Sequence, residues 1–131
     1  MTFLIDTHTF LWFINGSDEL SKTAKKIIET DNNDIFISIA SLWEISIKTA
    51  IGKLKISDSY DTVINDVVEN EISILPINFI HTVIQNKLPF HHNDPFDRII
   101  VSQAIVEDMN FISRDDIFDL YLENKEIKRI W

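Results

Sequence analysis

The stretch Asp94-Pro95-Phe96-Asp97-Arg98-Ile99-Ile100-Val101-Ser102-Gln103-Ala104-Ile105, followed shortly by Phe111-Ile112-Ser113, decides the fold. Asp94 suits an N-cap, because its carboxylate can accept from the free N–H groups of a first helical turn. Pro95 suits the first helical position, where no N–H is needed. Phe96, Ile99, Ile100, Ala104 and Ile105 then recur at helical spacing. The apolar run Phe111–Ser113 reads as a buried strand that ends at Arg114-Asp115. A helix feeding a short apolar strand is the repeating unit of a parallel sheet covered on both faces.

The same alternation runs outward in both directions. Thr2–Ile5 reads as a strand ending at Asp6, and Thr7–Ile14 as a helix stopped by Asn15-Gly16. Ser21–Thr30 is a lysine-bearing helix, and the polar loop Asp31–Asp34 leads into a strand at Ile35–Ser38. Ser41–Ile51 is a helix with a glycine stop at Gly52, and Ser57–Glu69 a more polar surface helix. Ile72–Leu75 is a third strand, closed by Pro76. Phe79–Leu88 is a short helix, Leu88–Asn93 a loop, and Ile127–Ile130 a short fifth strand. The expected fold is therefore α/β, a three-layer α/β/α sandwich on a parallel sheet of four to five short strands.

At 131 residues and 15.3 kDa, with no repeat or linker, the chain fits one domain over residues 1–131. Apolar residues at 45% and charged residues at 25% exclude a wholly disordered chain. With no cysteine, disulfides, thiolate metal sites and a cysteine nucleophile are excluded, and a reducing cytoplasm is the expected setting. The opening MTFLIDTHTF has no basic leader, and no apolar run approaches the roughly 18 residues of a membrane span. Twelve Lys and Arg against 21 Asp and Glu give −9, which argues against a broad basic nucleic-acid stripe. Two bound divalent cations would bring that charge to about −5 and invert the field where they sit. The placement of the acids therefore matters more than their number.

Ligands of open α/β sheets bind beyond the carboxyl ends of the strands, and acids recur there. Asp6 follows the first strand, Glu44 lies a turn into the helix after the second, Asp97 opens the helix after the third, and Asp115 follows the fourth. Four carboxylates on one rim are hard oxygen donors suited to Mg²⁺ or Mn²⁺. Each also has a structural reading. Asp6 and Asp94 can cap helices, Ser41-Leu42-Trp43-Glu44 matches a capping box, Asp97 gains from a helix dipole, and Asp115-Asp116 fits a turn.

The histidines and aromatics are weaker signals. His91-His92 lacks zinc spacing and points two ways, although His92 is placed to orient Asp94 or meet a phosphate. His8 can reach the rim, whereas His81 reads as helix surface. Trp12, Trp43 and Phe96 read as packing residues, with Trp12 and Trp43 also possible partner-facing anchors. Lys22, Lys25, Lys26, Lys53 and Lys55 form either a backbone-tracking patch or a solvated face.

Assembled, these residues resemble the PIN domain, and specifically its VapC-type toxins. FLIDTHTFLWF resembles the first motif with Asp6, and SIASLWEISIKTAIGKLKI the second with Glu44, Lys48 and Gly52-Lys53-Leu54. LPFHHNDPFDRIIVSQA resembles the third, with Asp97 as its acid and Asp94 and Arg98 beside it; DPFDR is its most specific string. FISRDDIFDLY resembles the fourth with Ser113 and Asp115, where serine stands for a commoner threonine and Asp116 adds a neighbouring acid. The resemblance implies a metal-dependent endoribonuclease. Asp6, Glu44, Asp97 and Asp115 are its expected catalytic and metal-binding residues. Lys48 and Arg98 are candidate phosphate contacts, Arg98 alternatively pairing with the carboxylates. Asp94, His92 and Ser113 are supporting residues. It further implies a cognate antitoxin and a homodimer or hetero-oligomer.

Two other readings compete. A haloacid-dehalogenase-like phosphotransferase also begins strand–Asp but wants a second Asp two positions on, where this chain has His8. A non-catalytic PIN-fold binding module would be signalled by loss of an acid, and all four are present. A receiver domain is disfavoured because the third strand ends in Leu75-Pro76 rather than an aspartate.

Overall fold

Alternation along the first strand sets the layers. In the computed structural model, which describes all residues Met1–Trp131, β1 (Thr2–Ile5) turns Phe3 and Ile5 to one face and Leu4 to the other. The neighbouring strand β2 (Asp34–Ser38) does likewise, with Ile35 and Ile37 opposite Phe36. Three further strands, β3 (Ser73–Leu75), β4 (Asn110–Ile112) and β5 (Arg129–Ile130), complete a sheet of order β3-β2-β1-β4-β5. Every pairing is parallel.

Helices close both faces. Helices α1 (Thr7–Ile14), α2 (Lys22–Glu29) and α4 (Val63–Glu69) contribute Phe10, Leu11, Ala24, Ile28, Val63 and Val67 to the core around Phe3 and Ile5. Helices α6 (Pro95–Glu107) and α7 (Asp119–Leu122) contribute Ile100, Val101, Ala104, Tyr121 and Leu122 to the core around Leu4 and Phe111. Helix α5 (Phe79–Lys87) lies against α6. Helix α3 (Ile39–Ala50) sends Leu42 and Ile45 into the first core and Ala40 into the second. The three-layer α/β/α sandwich and its parallel sheet are as the sequence predicts. No helix is long and apolar enough to cross a membrane.

Several local expectations are corrected. Helix α3 starts at Ile39, capped by Ser38, whose Oγ accepts from Ala40 N–H at 2.9 Å. Ser41 therefore lies inside the helix, and the Ser41–Glu44 capping box does not exist. The expected helix Ser57–Glu69 is a 3-10 turn at Tyr60–Thr62 followed by α4. Its start is lost because Ser59 and Thr62 donate their hydroxyls to Asp61 and to Ser59 C=O, local bonds that compete with helix formation. His81 is fully buried rather than on the surface. Its Nδ1 accepts from Asn78 N–H and its Nε2 meets Glu107, stitching the start of α5 to the end of α6.

Candidate functional site

The chain leaves β1 for β2 and β3 on one flank and crosses from β3 to β4 on the other. This is the switch point where the carboxyl ends of an open α/β sheet part to leave a crevice. Asp6 and Ser113 stand there, immediately past β1 and β4. Asp6 caps α1 with Oδ1, accepting from Thr9 N–H at 2.9 Å, and accepts from Ser113 Oγ through Oδ2 at 2.6 Å. Burial pushes the Asp6 carboxyl above the usual carboxylate range, although these hydrogen bonds pull it back. The capping reading of Asp6 is therefore correct without using up the carboxylate.

Glu44 projects from the second turn of α3 and is buried. Thr7 Oγ1 donates to its Oε1 at 2.7 Å, and Lys48, one turn on, donates to its Oε2 at 2.6 Å. That bond, followed by the nearby carboxylates of Asp94 and Asp97, holds the Lys48 ammonium above its ordinary value against partial desolvation. Lys48 remains part-exposed.

Asp94 caps α6 as expected, its Oδ1 accepting from the N–H groups of Phe96 and Asp97. Asp97, in the first turn, is strongly perturbed. Burial first, then the negative charges of Asp94, Asp6, Glu44 and Asp115, push its carboxyl up to about 8. Its Oδ2 lies 3.0 Å from His92 Nε2, which is also 3.5 Å from Asp115 Oδ2. Asp115 caps the 3-10 turn Asp116–Phe118 through Ile117 N–H, so the turn reading holds, and its side chain is the most open of the four. A cleft of ≈280 Å³ beside it is lined by Asp6, His8, Trp12, Arg114 and Asp115.

Arg98 is the clear correction. It meets neither the carboxylates nor the open edge: it is buried, and its guanidinium is taken up by backbone carbonyls of the loop before α6. Arg114, unremarked in the sequence, is the cation that borders the cleft, lying over the Trp12 ring and paired with Glu19. Thr7 is equally silent, because a threonine two residues past a strand carries no spacing signal. Trp43, expected to pack, is 60% exposed, its ring edge-on to Phe96 at 5.4 Å. Lys22, Lys25 and Lys26 face solvent.

The acids share one edge, but no three of the His, Asp and Glu side chains already surround a single point. Each oxygen is drawn instead to a local donor: Asp6 to Ser113, Glu44 to Thr7 and Lys48, Asp97 to His92. The donor set nonetheless fits a hard divalent cation. It is built from carboxylates, and their mutual repulsion at Asp97 is of the kind a cation would relieve.

An α/β/α sandwich that gathers carboxylates from separate connections at the carboxyl edge of its parallel sheet defines a class of acid-edged α/β domains. The PIN domain family model matches residues 3–121, and the chain belongs to that family. Its fold is similar to chains of three crystallised assemblies. VapBC2 from Rickettsia felis, bound to a DNA fragment from its promoter, is 18% identical, with 98% of both chains covered and a TM-score of 0.70. VapBC-1 from nontypeable Haemophilus influenzae is 17% identical, with 99% of this chain and 97% of that chain covered and a TM-score of 0.65. VapBC-5 from Mycobacterium tuberculosis, a member of the VapBC family of toxin–antitoxin systems, is 14% identical, with 98% and 97% covered and a TM-score of 0.64. No curated protein sequence matches the chain.

Proposed function

We propose that this chain is a Mg²⁺- or Mn²⁺-dependent endoribonuclease acting as the VapC-type toxin of a toxin–antitoxin pair. The observation that carries the reading is Asp97, whose carboxyl is pushed up to about 8 by burial and by four other acids on the same edge. Perturbed carboxylates gathered at a switch point are a functional-site signature rather than a packing device. Asp6, Glu44 and Asp97 would hold the ion, with Asp115 contributing directly or through water. Bound there, the ion would make an attacking water more acidic, neutralise the phosphodiester and stabilise the departing 3′ oxygen.

The chain's own residues prepare this arrangement. Ser113 and Thr9 fix the two oxygens of Asp6, and Thr7 and Lys48 fix those of Glu44. Lys48 and Arg114 are the cations placed to meet RNA phosphates, and both are tethered to a carboxylate that sets their position. The similarity to the VapBC assemblies supports an antitoxin partner; a homodimer or hetero-oligomer and a cytoplasmic setting belong to the same reading.

Asp6→Asn tests the chemistry, because an asparagine still caps α1 through its side-chain oxygen. Mn²⁺-dependent RNA cleavage is expected to vanish while far-UV circular dichroism stays the same. A wild-type chain that cuts RNA with neither ion leaves the non-catalytic binding module as the reading. Expression alone should arrest bacterial growth and co-expression of a cognate antitoxin should restore it; harmless expression of an active nuclease removes the toxin role.

A further inference from the structure

Arg98 is only 2% exposed, yet its partners are carbonyls rather than a carboxylate. Its Nη1 donates to Pro89 C=O at 3.0 Å and His92 C=O at 3.2 Å. Its Nη2 donates to Gln85 C=O at 3.1 Å and Leu88 C=O at 3.2 Å. The Phe90 ring covers the guanidinium at 4.0 Å. A planar fork shared among these carbonyls gathers the chain from Gln85 to His92 around itself. Tyr121 on α7 reaches the same segment: its hydroxyl donates to Pro89 C=O at 2.7 Å and accepts from His92 N–H at 2.8 Å.

Both contacts terminate on His92, whose carbonyl is held by Arg98 and whose N–H is held by Tyr121. The imidazole stacks on Phe118 at 5.6 Å, and its Nδ1 accepts from Asp94 N–H at 3.1 Å. A ring nitrogen that accepts carries no proton, so in the neutral ring the proton sits on Nε2. Nε2 is the atom that faces Asp97 Oδ2 and Asp115 Oδ2.

We propose that Arg98 and Tyr121 are positioning residues whose clamp on the loop before α6 holds His92 in one tautomer, with its Nε2 between the carboxylates of Asp97 and Asp115. The inference rests on the nuclease reading and deepens it: two acids from distant parts of the chain are oriented by one imidazole before any ion or RNA arrives. Outer partners of this kind orient metal ligands in other sites and contribute substantially to metal affinity.

Tyr121→Phe is the test, because it keeps the buried ring and removes only the hydroxyl; Arg98→Lys is the second variant. Nitrogen–proton NMR of the imidazoles without metal reads the tautomer, and Mn²⁺ calorimetry reads affinity. Wild type is expected to show His92 with Nε2 protonated and Nδ1 bare, and Tyr121→Phe to show mixed tautomers with about tenfold weaker Mn²⁺ binding. On a His92→Ala background, adding Tyr121→Phe should weaken binding no further. An unchanged His92 spectrum, or an equal loss on both backgrounds, overturns the clamp. A wild-type protein that takes up no Mn²⁺ overturns the metal-dependent function instead, and the imidazole spectrum alone then decides the clamp.

Discussion

Ser113 Oγ donates to Asp6 Oδ2 at 2.6 Å, joining the carboxyl ends of β4 and β1 across the switch point of the sheet. The same oxygen accepts from Asp115 N–H at 3.1 Å, so one hydroxyl orients an acid on each side of the crevice. Burial raises the Asp6 carboxyl, and this hydrogen bond is the largest of the contacts that lower it again.

Ser113→Ala therefore raises the Asp6 carboxyl further. RNA cleavage at pH 7 should fall about tenfold, with the far-UV spectrum retained, and should recover in part at higher pH as Asp6 ionises. A variant whose pH–rate profile overlays the wild type shows that Asp6 ionises without Ser113.

Asp97 makes stability depend on pH. Its carboxyl moves from 3.8 to about 8 on folding, so between those values the folded chain holds a proton that the unfolded chain has lost. Stability in EDTA should decline as pH rises from about 4 to about 8 and level off above, by on the order of 1–3 kcal/mol. Denaturant titrations across that range should show the slope, and Asp97→Asn should flatten it. Mn²⁺ binding at pH 7 should release about one proton, read by calorimetry in buffers of different ionisation enthalpy.

Lys48→Gln removes a positive charge beside the acids. Measured on the inactive Asp6→Asn background, RNA binding should weaken and the slope of log K against log salt should shrink by about one. An unchanged slope assigns Lys48 wholly to Glu44.

His81→Ala separates fold from function. It orphans Asn78 N–H and leaves a cavity between α5 and α6. Unfolding free energy should drop by about 2–4 kcal/mol. Cleavage at 25 °C should persist, because His81 touches none of Asp6, Glu44, Asp97 and Asp115.

The strands and the placing of Asp6, Glu44, Asp97 and Asp115 near one edge were legible because both follow from local pattern: apolar runs punctuated by acids. What each side chain does there was less so. Arg98 reads as a phosphate contact or a partner of the site carboxylates, but its direction is set by where the carbonyls of Gln85, Leu88, Pro89 and His92 turn. His81 looked solvent-facing until Glu107, 26 positions away, supplied its partner. Tyr121 and Thr7 gave no signal, since a hydroxyl's partner is fixed by tertiary packing. The acids' lack of a ready chelate was equally invisible, because it depends on which donor each oxygen finds first.

The central position of β1 carries a consequence for synthesis. Asp6 is made first, whereas Ser113 and the strand that flanks β1 on that side come 107 positions later. A nascent chain cut short before β4 presents an open sheet flank and an aspartate without its serine. Such a fragment lacks both the partner that flanks β1 and the donor that orients Asp6.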